Sequence, residues 1–243
     1  MLAKTVAIVL KTIKYNDNKL IAKIYTREFG LKTFFIPVSR SSKSKLKQAL
    51  LQNLTQLSIE CESRENKQFA TLKEISCIYH YLDLPLNVYK SSIASFLNEV
   101  ILNCIKEEEK NETIFDFITF SFQWLDHAEE HYTNFHLYFL IELTRHLGFY
   151  PQNNYSAKLQ YFDLQNGAFC EDAPLHANYL MGENARLFSD LLMLDVKNLR
   201  LFNISKQERD FILIDLIQYY RLHISNFKDL KTLSVLKEVL TIK

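Results

Sequence analysis

Few residues in this chain stand at spacings that chemistry could use. His127 and His131 lie four apart, which on a helix puts two imidazoles on one face at the spacing of a metal-ligand pair, with Glu129, Glu130 and His136 close by. The same stretch also reads as a helix end carrying solvated histidines, and that plainer reading is preferred. Glu107, Glu108 and Glu109 could gather cations, but followed by Lys110-Asn111 they read as a solvated helix end, and Asp190 and Asp195 read as surface acids beside an apolar helix. Cys61, Cys77, Cys104 and Cys170 are widely spaced, with no C-x-x-C, so they are expected to be free, buried thiols rather than a zinc site. Glycines occur only at 30, 148, 167 and 182, so no loop can turn several backbone amides onto a phosphate. No phosphate-loop, dinucleotide, nucleophile-elbow or H-E-x-x-H motif is present. The expectation is a protein without catalytic residues, bound metal or cofactor.

What the sequence does offer is positive charge with aromatic residues between. Lys19, Lys23, Tyr25 and Arg27 alternate along one stretch, Lys32 and Phe34 follow, and Arg40, Lys43, Lys45 and Lys47 crowd a serine-rich segment without an acid. The formal net charge of +1 conceals an asymmetry. Residues 1–80 hold 14 basic and 6 acidic side chains, leaving 15 basic and 22 acidic ones for residues 81–243. Such a split points to two domains with different partners. The basic one is suited to a polyanion, held by Coulomb attraction and counterion release, with nucleic acid the first candidate and an acidic membrane surface the second.

The elements that would position these residues fall into two textures. Residues 4–79 read as β-structure. Lys4–Lys14 and Lys19–Glu28 flank a turn at Asn16-Asp17-Asn18, and alternation puts Leu20, Ala22, Ile24 and Thr26 on one face and Lys19, Ile21, Lys23, Tyr25 and Arg27 on the other. Gly30 supplies the turn into Leu31–Pro37, Leu54–Glu62 follows with Thr55, Leu57, Ile59 and Cys61 on one face, and Phe69–Tyr79 makes a fifth strand. Five short strands in about 80 residues predict a closed five-stranded OB-fold barrel, with an SH3-like barrel or a sheet packed on helices as the alternatives. The segment Ser39–Lys47 is expected to be a mobile loop, with a helical turn in Leu46–Gln52.

From about Asp83 the period becomes helical, and Pro85 with the change of charge marks a boundary near 80–85. Helices are predicted over Asn87–Glu109, Thr113–Glu130, Thr133–Leu147 (stopped by Gly148 and Pro151), Glu183–Leu194, Ser205–His223 (opened by a Ser205/Glu208 capping box) and Leu230–Ile242. Gln165-Asn166-Gly167 between apolar runs predicts a hairpin near 159–170. The fold class is therefore α+β: an OB-fold over 1–80, then a helical domain over 81–243 with a small hairpin insert. A hydrophobic fraction of 48% with 13% aromatic residues excludes disorder. No apolar run reaches membrane-spanning length and the N-terminus does not read as a signal peptide, so no membrane partner and a cytoplasmic location are expected.

Particular stretches resemble one family. Ala7–Lys11 followed by Tyr15-Asn16-Asp17, Phe29-Gly30-Leu31, the basic segment Pro37–Lys45, Phe139–Leu143 leading to Leu147-Gly148-Phe149-Tyr150-Pro151, and Leu230–Leu236 are similar to segments of the RecO family of bacterial DNA repair proteins. The likeness spans essentially the whole chain, though each motif is short. Two departures stand out. Many members carry a four-cysteine zinc site in the insert, where this chain has only Cys170, with Tyr161, Phe162 and Phe169 available for an apolar core, so zinc is not carried over. The basic segment usually begins with glycine beside its arginine, whereas Val38-Ser39 precede Arg40 here.

The resemblance implies a recombination mediator associated with the nucleoid. It would bind single- and double-stranded DNA, anneal complementary strands and, with RecR, help load RecA onto DNA coated by single-strand binding protein. On that reading Lys19, Lys23, Tyr25, Arg27, Lys32 and Phe34 would line the DNA-binding face, and Arg40, Lys43, Lys45 and Lys47 would anchor phosphates. The helical domain would receive the acidic C-terminal tail of single-strand binding protein in an apolar groove with a basic rim, for which Arg145, Arg186, Arg200 and Arg209 are candidates. The competing class is a protein-interaction adaptor whose basic barrel binds an acidic protein or anionic lipid, with DNA irrelevant.

Overall fold

A computed structural model describes residues 2–62, 70–106 and 110–241. The chain divides into two compact units, one of residues 1–82 and 101–126, the other of 83–100 and 127–243.

The first unit is built on a five-stranded antiparallel sheet of β1 (Leu2–Asn16), β2 (Lys19–Thr26), β3 (Gly30–Pro37), β4 (Gln56–Glu62) and β5 (Thr71–Tyr79), in the order β3-β2-β1-β4-β5. The predicted closure into a barrel is not found. Among the described residues the two edges meet at one parallel bridge, Phe34 to Ala70, where Ala70 N–H donates to Thr33 O at 3.1 Å, and no ladder continues from it to close the sheet. The predicted start of the fifth strand at Phe69 lies outside the described residues. Ala7, Val9, Ala22, Ile24, Phe34, Ile36, Leu57, Ile59 and Cys61 pack on the inner face.

A bulge sets the parity of β1. Val9 pairs with Ile24 and Lys11 with Lys23, so Leu10 is the extra residue. Odd positions point inward before it and even positions after it, because a bulge reverses the alternation. The turn into β3 is fixed by Gly30 at φ +65° and by Thr26, whose hydroxyl donates to Gly30 O at 2.9 Å and accepts from Phe29 N–H at 3.0 Å.

The basic serine-rich segment is not a loop. It forms α1 (Ser42–Ala49), opened by Ser41, whose hydroxyl accepts from Ser44 N–H at 3.3 Å, and Lys47 lies in its last turn, where a cation suits the helix dipole. Leu50 and Leu51 at its end pack on the inner core, supplying the apolar anchor that charge and serine counting overlooked.

A long helix, α3 (Glu112–His127), belongs to this unit through residue 126. Its buried Asp126 accepts from Leu82 N–H at 3.1 Å and from the Tyr79 hydroxyl at 3.2 Å, and its Gln123 donates to Gln56 Oε1 at 2.7 Å. The helix ends at His127 and His131 sits at φ +57°, so the two histidines do not share a helix face. Among the described residues no three His, Cys, Asp or Glu side chains come together as a metal site. All four cysteines are free, but only Cys61 is fully buried; Cys77, Cys104 and Cys170 are partly exposed, because each lies where its strand or helix meets solvent. The predicted cluster Glu107–Glu109 lies outside the described residues.

The helical region contains α2 (Val88–Cys104), α4 (Phe135–Leu147), α5 (Gly182–Leu192), α6 (Lys206–His223) and α7 (Leu233–Val239), with a 3-10 turn at Val196–Leu201. The predicted signals operate as expected: Gly148 ends α4 at φ +85°, and Ser205 with Glu208 closes the capping box of α6. Ile242, the predicted end of the last helix, lies outside the described residues. Glu99 on α2 accepts from Lys231 N–H at 3.0 Å and Thr232 N–H at 2.9 Å, capping α7 from another element. The insert is a three-stranded sheet, β7-β6-β8, made of β6 (Tyr161–Asp163), β7 (Ala168–Cys170) and β8 (Tyr179–Leu180). Phe162 sits at its centre, 4.8 Å from the Phe169 ring and 4.4 Å from that of Phe188. No helix among the described residues is long and apolar enough to cross a membrane.

Asp215 on α6 is a half-buried carboxylate that makes no hydrogen bond or ion pair among the described residues, and burial pushes its pKa from 3.8 to about 6. Between pH 4 and 6 the folded chain holds a proton that the unfolded chain has released, so stability falls as pH rises through this window. Asp215→Asn should leave stability unchanged at pH 4 and raise it by about 1–2 kcal/mol at pH 7.5, read from urea unfolding at both pH values.

Candidate nucleic-acid interface

The outward face of β1–β3 carries side chains in rows across the strands, because paired residues on antiparallel strands share a face. The first row, Ile8–Tyr25–Leu31, lies at the end covered by α3: Tyr25 is 2% exposed, stands 5.9 Å from the Phe115 ring and donates from its hydroxyl to Asn111 O at 3.3 Å. The next row is Lys11–Lys23–Thr33 and the one after it Ile13–Ile21–Phe35. Tyr15 and Lys19 complete the open end.

That open end is basic, apolar and solvent-facing at once. Ile13 is 46% and Tyr15 61% exposed, and the Tyr15 and Phe35 rings meet edge to face at 5.7 Å. Lys11, Lys19 and Lys23 are exposed and make no ion pair among the described residues. Lys11 and Lys23 stand directly opposite one another across the ladder. Like charges in that position destabilise a sheet, and no acid sits between them to offset the repulsion.

This arrangement keeps some of the predicted residues and moves others. Lys19 and Lys23 belong to the patch. Tyr25 does not, since α3 covers it. Phe34 is fully buried in the inner core, and Lys32, paired with Ile24, shares that inner parity. β3 meets β2 in a register that brings Thr33 and Phe35, not Lys32 and Phe34, beside Lys23 and Ile21. Arg27 is neutralised within its own unit: it grips Asp116 through Nε–Oδ1 and Nη2–Oδ2 contacts of 2.9 Å each and reaches Glu112 at 2.6 Å. Lys110 bridges Glu28 at 2.9 Å and Glu112 at 2.6 Å in the same network. The Asp116 carboxylate in turn raises the Arg27 pKa.

Arg40 and Lys45 are exposed and without ion pairs among the described residues, while Lys47 donates to Lys73 O at 2.7 Å, so α1 lies against β5 rather than over the outward face of β1–β3. The side chain of Lys43 lies outside the described residues. Alternation alone missed Lys11, Ile13, Tyr15, Ile21 and Phe35 as one patch. Their signal is the Asn-Asp-Asn turn, which folds β1 back on β2 and brings Lys11 opposite Lys23; it becomes legible only once the bulge at Leu10 is known.

In the second unit the candidate arginines separate. Arg200 is exposed and makes no ion pair among the described residues; it lines a cleft of about 290 Å³ with His131, Leu199, Phe202, Ile204 and Arg209. Arg209 is half-buried and held by Asn134 Oδ1 at 2.7 Å. Arg186 lines an adjoining depression that shares Phe202, Asn203 and Ile204, but it is bound to Glu183 and to Asp190, the latter at 2.9 Å. Arg145 stacks 3.6 Å over the Tyr150 ring and pairs with Glu142; neither cleft includes it.

An OB-type antiparallel sheet with a basic outward face, followed by a helical region, defines the class. Residues 1–81 match the family model for the recombination protein O N terminal, and residues 86–233 the model for the recombination protein O C terminal. The DNA repair protein RecO of Phocaeicola vulgatus is 39% identical over 239 residues, covering 98% of this chain and 99% of that protein. The proteins of the same name from Bacteroides fragilis and Flavobacterium psychrophilum are each 37% identical over 241 residues, with the same coverage. The chain belongs to the RecO family of DNA repair and recombination proteins.

Replacing Phe34 by alanine should cost about 3–5 kcal/mol in urea unfolding, since it empties a fully buried aromatic site. Lys23→Ala should leave stability unchanged or raise it slightly, because it relieves the Lys11–Lys23 repulsion.

Proposed function

We propose that this protein is a non-catalytic recombination mediator. It binds single- and double-stranded DNA through the outward face of β1–β3, anneals complementary strands, and acts with RecR to help load RecA onto DNA coated by single-strand binding protein. The observation that carries the DNA-binding part is the open end of the sheet: Lys11, Lys19 and Lys23, none in an ion pair among the described residues, frame exposed Ile13 and Tyr15 with half-buried Ile21 and Phe35 between them. A like-charged pair that costs stability is explained if a polyanion is its counterpart. Annealing then needs no reactive group. Neutralising phosphates lowers the repulsion between two strands, and base pairing supplies the free energy.

Arg40 and Lys45 on or before α1 would extend phosphate contact without reading sequence. The insert is inferred to fold without metal, its centre being filled by Phe162, Phe169 and Phe188. The Arg200 cleft is the proposed seat of the acidic tail of single-strand binding protein: Phe202, Leu199 and Ile204 offer apolar contact, and Arg200 is a cation free to pair.

Binding of this kind is salt-dependent. The Lys11/Lys19/Lys23→Ala variant should bind single strands more weakly and lower the slope of log affinity against log salt by about 2, at roughly 0.7 for each phosphate that no longer meets a cation. Fluorescence anisotropy over a salt series measures this; an unchanged slope removes the assignment, and salt-independent binding by the parent favours the adaptor. For the cleft, Arg200→Glu should weaken binding of a labelled acidic tail peptide by about tenfold, consistent with removal of a charge-assisted hydrogen bond, whereas Arg145→Glu should have no effect.

A further inference from the structure

We propose that the outward face of α6, centred on Asp215, is a docking surface for a protein segment that presents a lysine or arginine between apolar side chains. The face is distinct from the cleft at Arg200, since Arg209, which lines that cleft, lies about half a turn round the helix from Gln218. It stands whether or not the sheet of the first unit binds DNA.

Three observations carry it. Phe211, Ile214, Asp215, Gln218 and Leu222 recur at spacings of three and four, which places them on one stripe of α6 roughly 17 Å long. Phe211 is 46% and Ile214 47% exposed and Leu222 is exposed as well, whereas the opposite face of the helix is buried. Gln218 donates to Asn178 Oδ1 at 3.1 Å, which sets the loop carrying the fully exposed Leu175 beside this stripe. Apolar side chains grouped in water on one face mark a contact surface more than a scatter of single residues does.

The second observation is the carboxylate in the middle of the stripe. Asp215 is half-buried, with neither a hydrogen bond nor an ion pair among the described residues. At pH 7.5 it is an anion, because burial lifts its pKa only to about 6. A charge withdrawn from water without a partner costs stability, and no internal contact offsets that cost. Third, the cations of the same helix nearest the stripe are engaged elsewhere: Lys206 pairs with Asp210 at 3.1 Å and Arg221 with Asp229 at 2.7 Å. A cation brought by a partner supplies the missing counterion, and the apolar residues around it exclude water from the pair.

The charge of the face decides among occupants. Residues 81–243 hold 15 basic and 22 acidic side chains, so nucleic acid and anionic lipid are repelled. A second copy of the chain is disfavoured too, because a two-fold contact centred on Asp215 sets one carboxylate against the other. A basic, apolar segment of a different protein meets neither obstacle.

The test selects binders from a phage-displayed random dodecapeptide library on the full-length chain, after depletion on the Ile214→Glu variant. The recovered peptides should share a lysine or arginine flanked by apolar residues. Fluorescence anisotropy with the labelled consensus peptide should then show binding about tenfold weaker to Asp215→Asn, as expected for loss of a charge-assisted hydrogen bond. Asp215→Asn is expected to be at least as stable as the parent at pH 7.5, so this loss is not unfolding. Asp215→Lys should release the peptide and bind instead its twin with glutamate in place of the basic residue. Recovery of no such consensus, or equal affinity of the consensus peptide for the parent and Asp215→Asn, would overturn the proposal. Sedimentation showing a parent dimer that Ile214→Glu dissociates would make a second copy the occupant, and weaker oligothymidylate binding by Ile214→Glu would make it nucleic acid; either result also overturns it.

Discussion

Side chains on a β-strand alternate between two faces, so the residues that β1 turns outward depend on its two irregularities against β2, an extra residue at Leu10 and a second shift between Lys14 and Asn16 that leaves Tyr15 unpaired. Before Leu10, Ala7 and Val9 point into the core; after it, Lys11 and Ile13 point outward. Without the bulge the odd positions of β1 would stay inward, and a lysine, an isoleucine and a tyrosine would compete for the space now filled by Ala22, Ile24 and Phe34. The outward placement of Lys11 and Ile13 follows from this parity change, whereas β2 and β3 pair without a shift and set Lys23 and Phe35 outward and Phe34 inward by their own alternation.

The second constraint is that an open sheet has an outward face which must be covered or solvated. Here α3 covers one end. It is fastened by the Gln123–Gln56 bond, by Asp126, and by the Arg27–Asp116–Glu112 contacts. These bonds consume Arg27 and enclose Tyr25, which is why neither is available to a ligand. At the uncovered end Lys14 pairs with Asp17 of the turn at 2.6 Å, while Lys11, Lys19 and Lys23 make no ion pair among the described residues. The rest of the outward face is treated differently: on β4 and β5, Glu60 lies opposite Glu74, with Lys4 beside Glu60. Charge is thus mixed on the β4–β5 part, where Lys4 and Lys73 stand beside glutamates, whereas Lys11, Lys19 and Lys23 beside the exposed Tyr15 make no ion pair among the described residues.

The second unit shows the corresponding economy with arginines. Arg145 and Arg186 are paired with acids and Arg209 is held by the neutral Asn134 amide, while Arg200 is the one of the four that is exposed and without a hydrogen bond or ion pair among the described residues beside the cleft. Net charge over a segment says little about which cations are free; internal pairing decides that, and pairing is a property of tertiary neighbours.

The alternation of apolar residues, the turn at Asn16–Asn18, the stop at Gly148 and the capping box at Ser205 were legible from the chain alone because they depend on residues within a turn or two of each other. Most element positions followed from them, the separation of a basic β-region from an acidic helical one followed from the charge count, and the family from the resemblance of short segments. The inner or outer fate of Lys32, Phe34 and Phe35 was not legible, and alternation gave the face of Tyr25 but not its cover by α3. These depend on a cross-strand register and on a helix far along the chain, neither of which acts through neighbouring residues. The helical state of Ser42–Ala49 was missed for a related reason, since its apolar anchors, Leu50 and Leu51, find their partners on distant strands. Local order is written in local spacing, whereas which charges stay unpaired and which rings stay in water was decided by contacts between residues far apart in the chain.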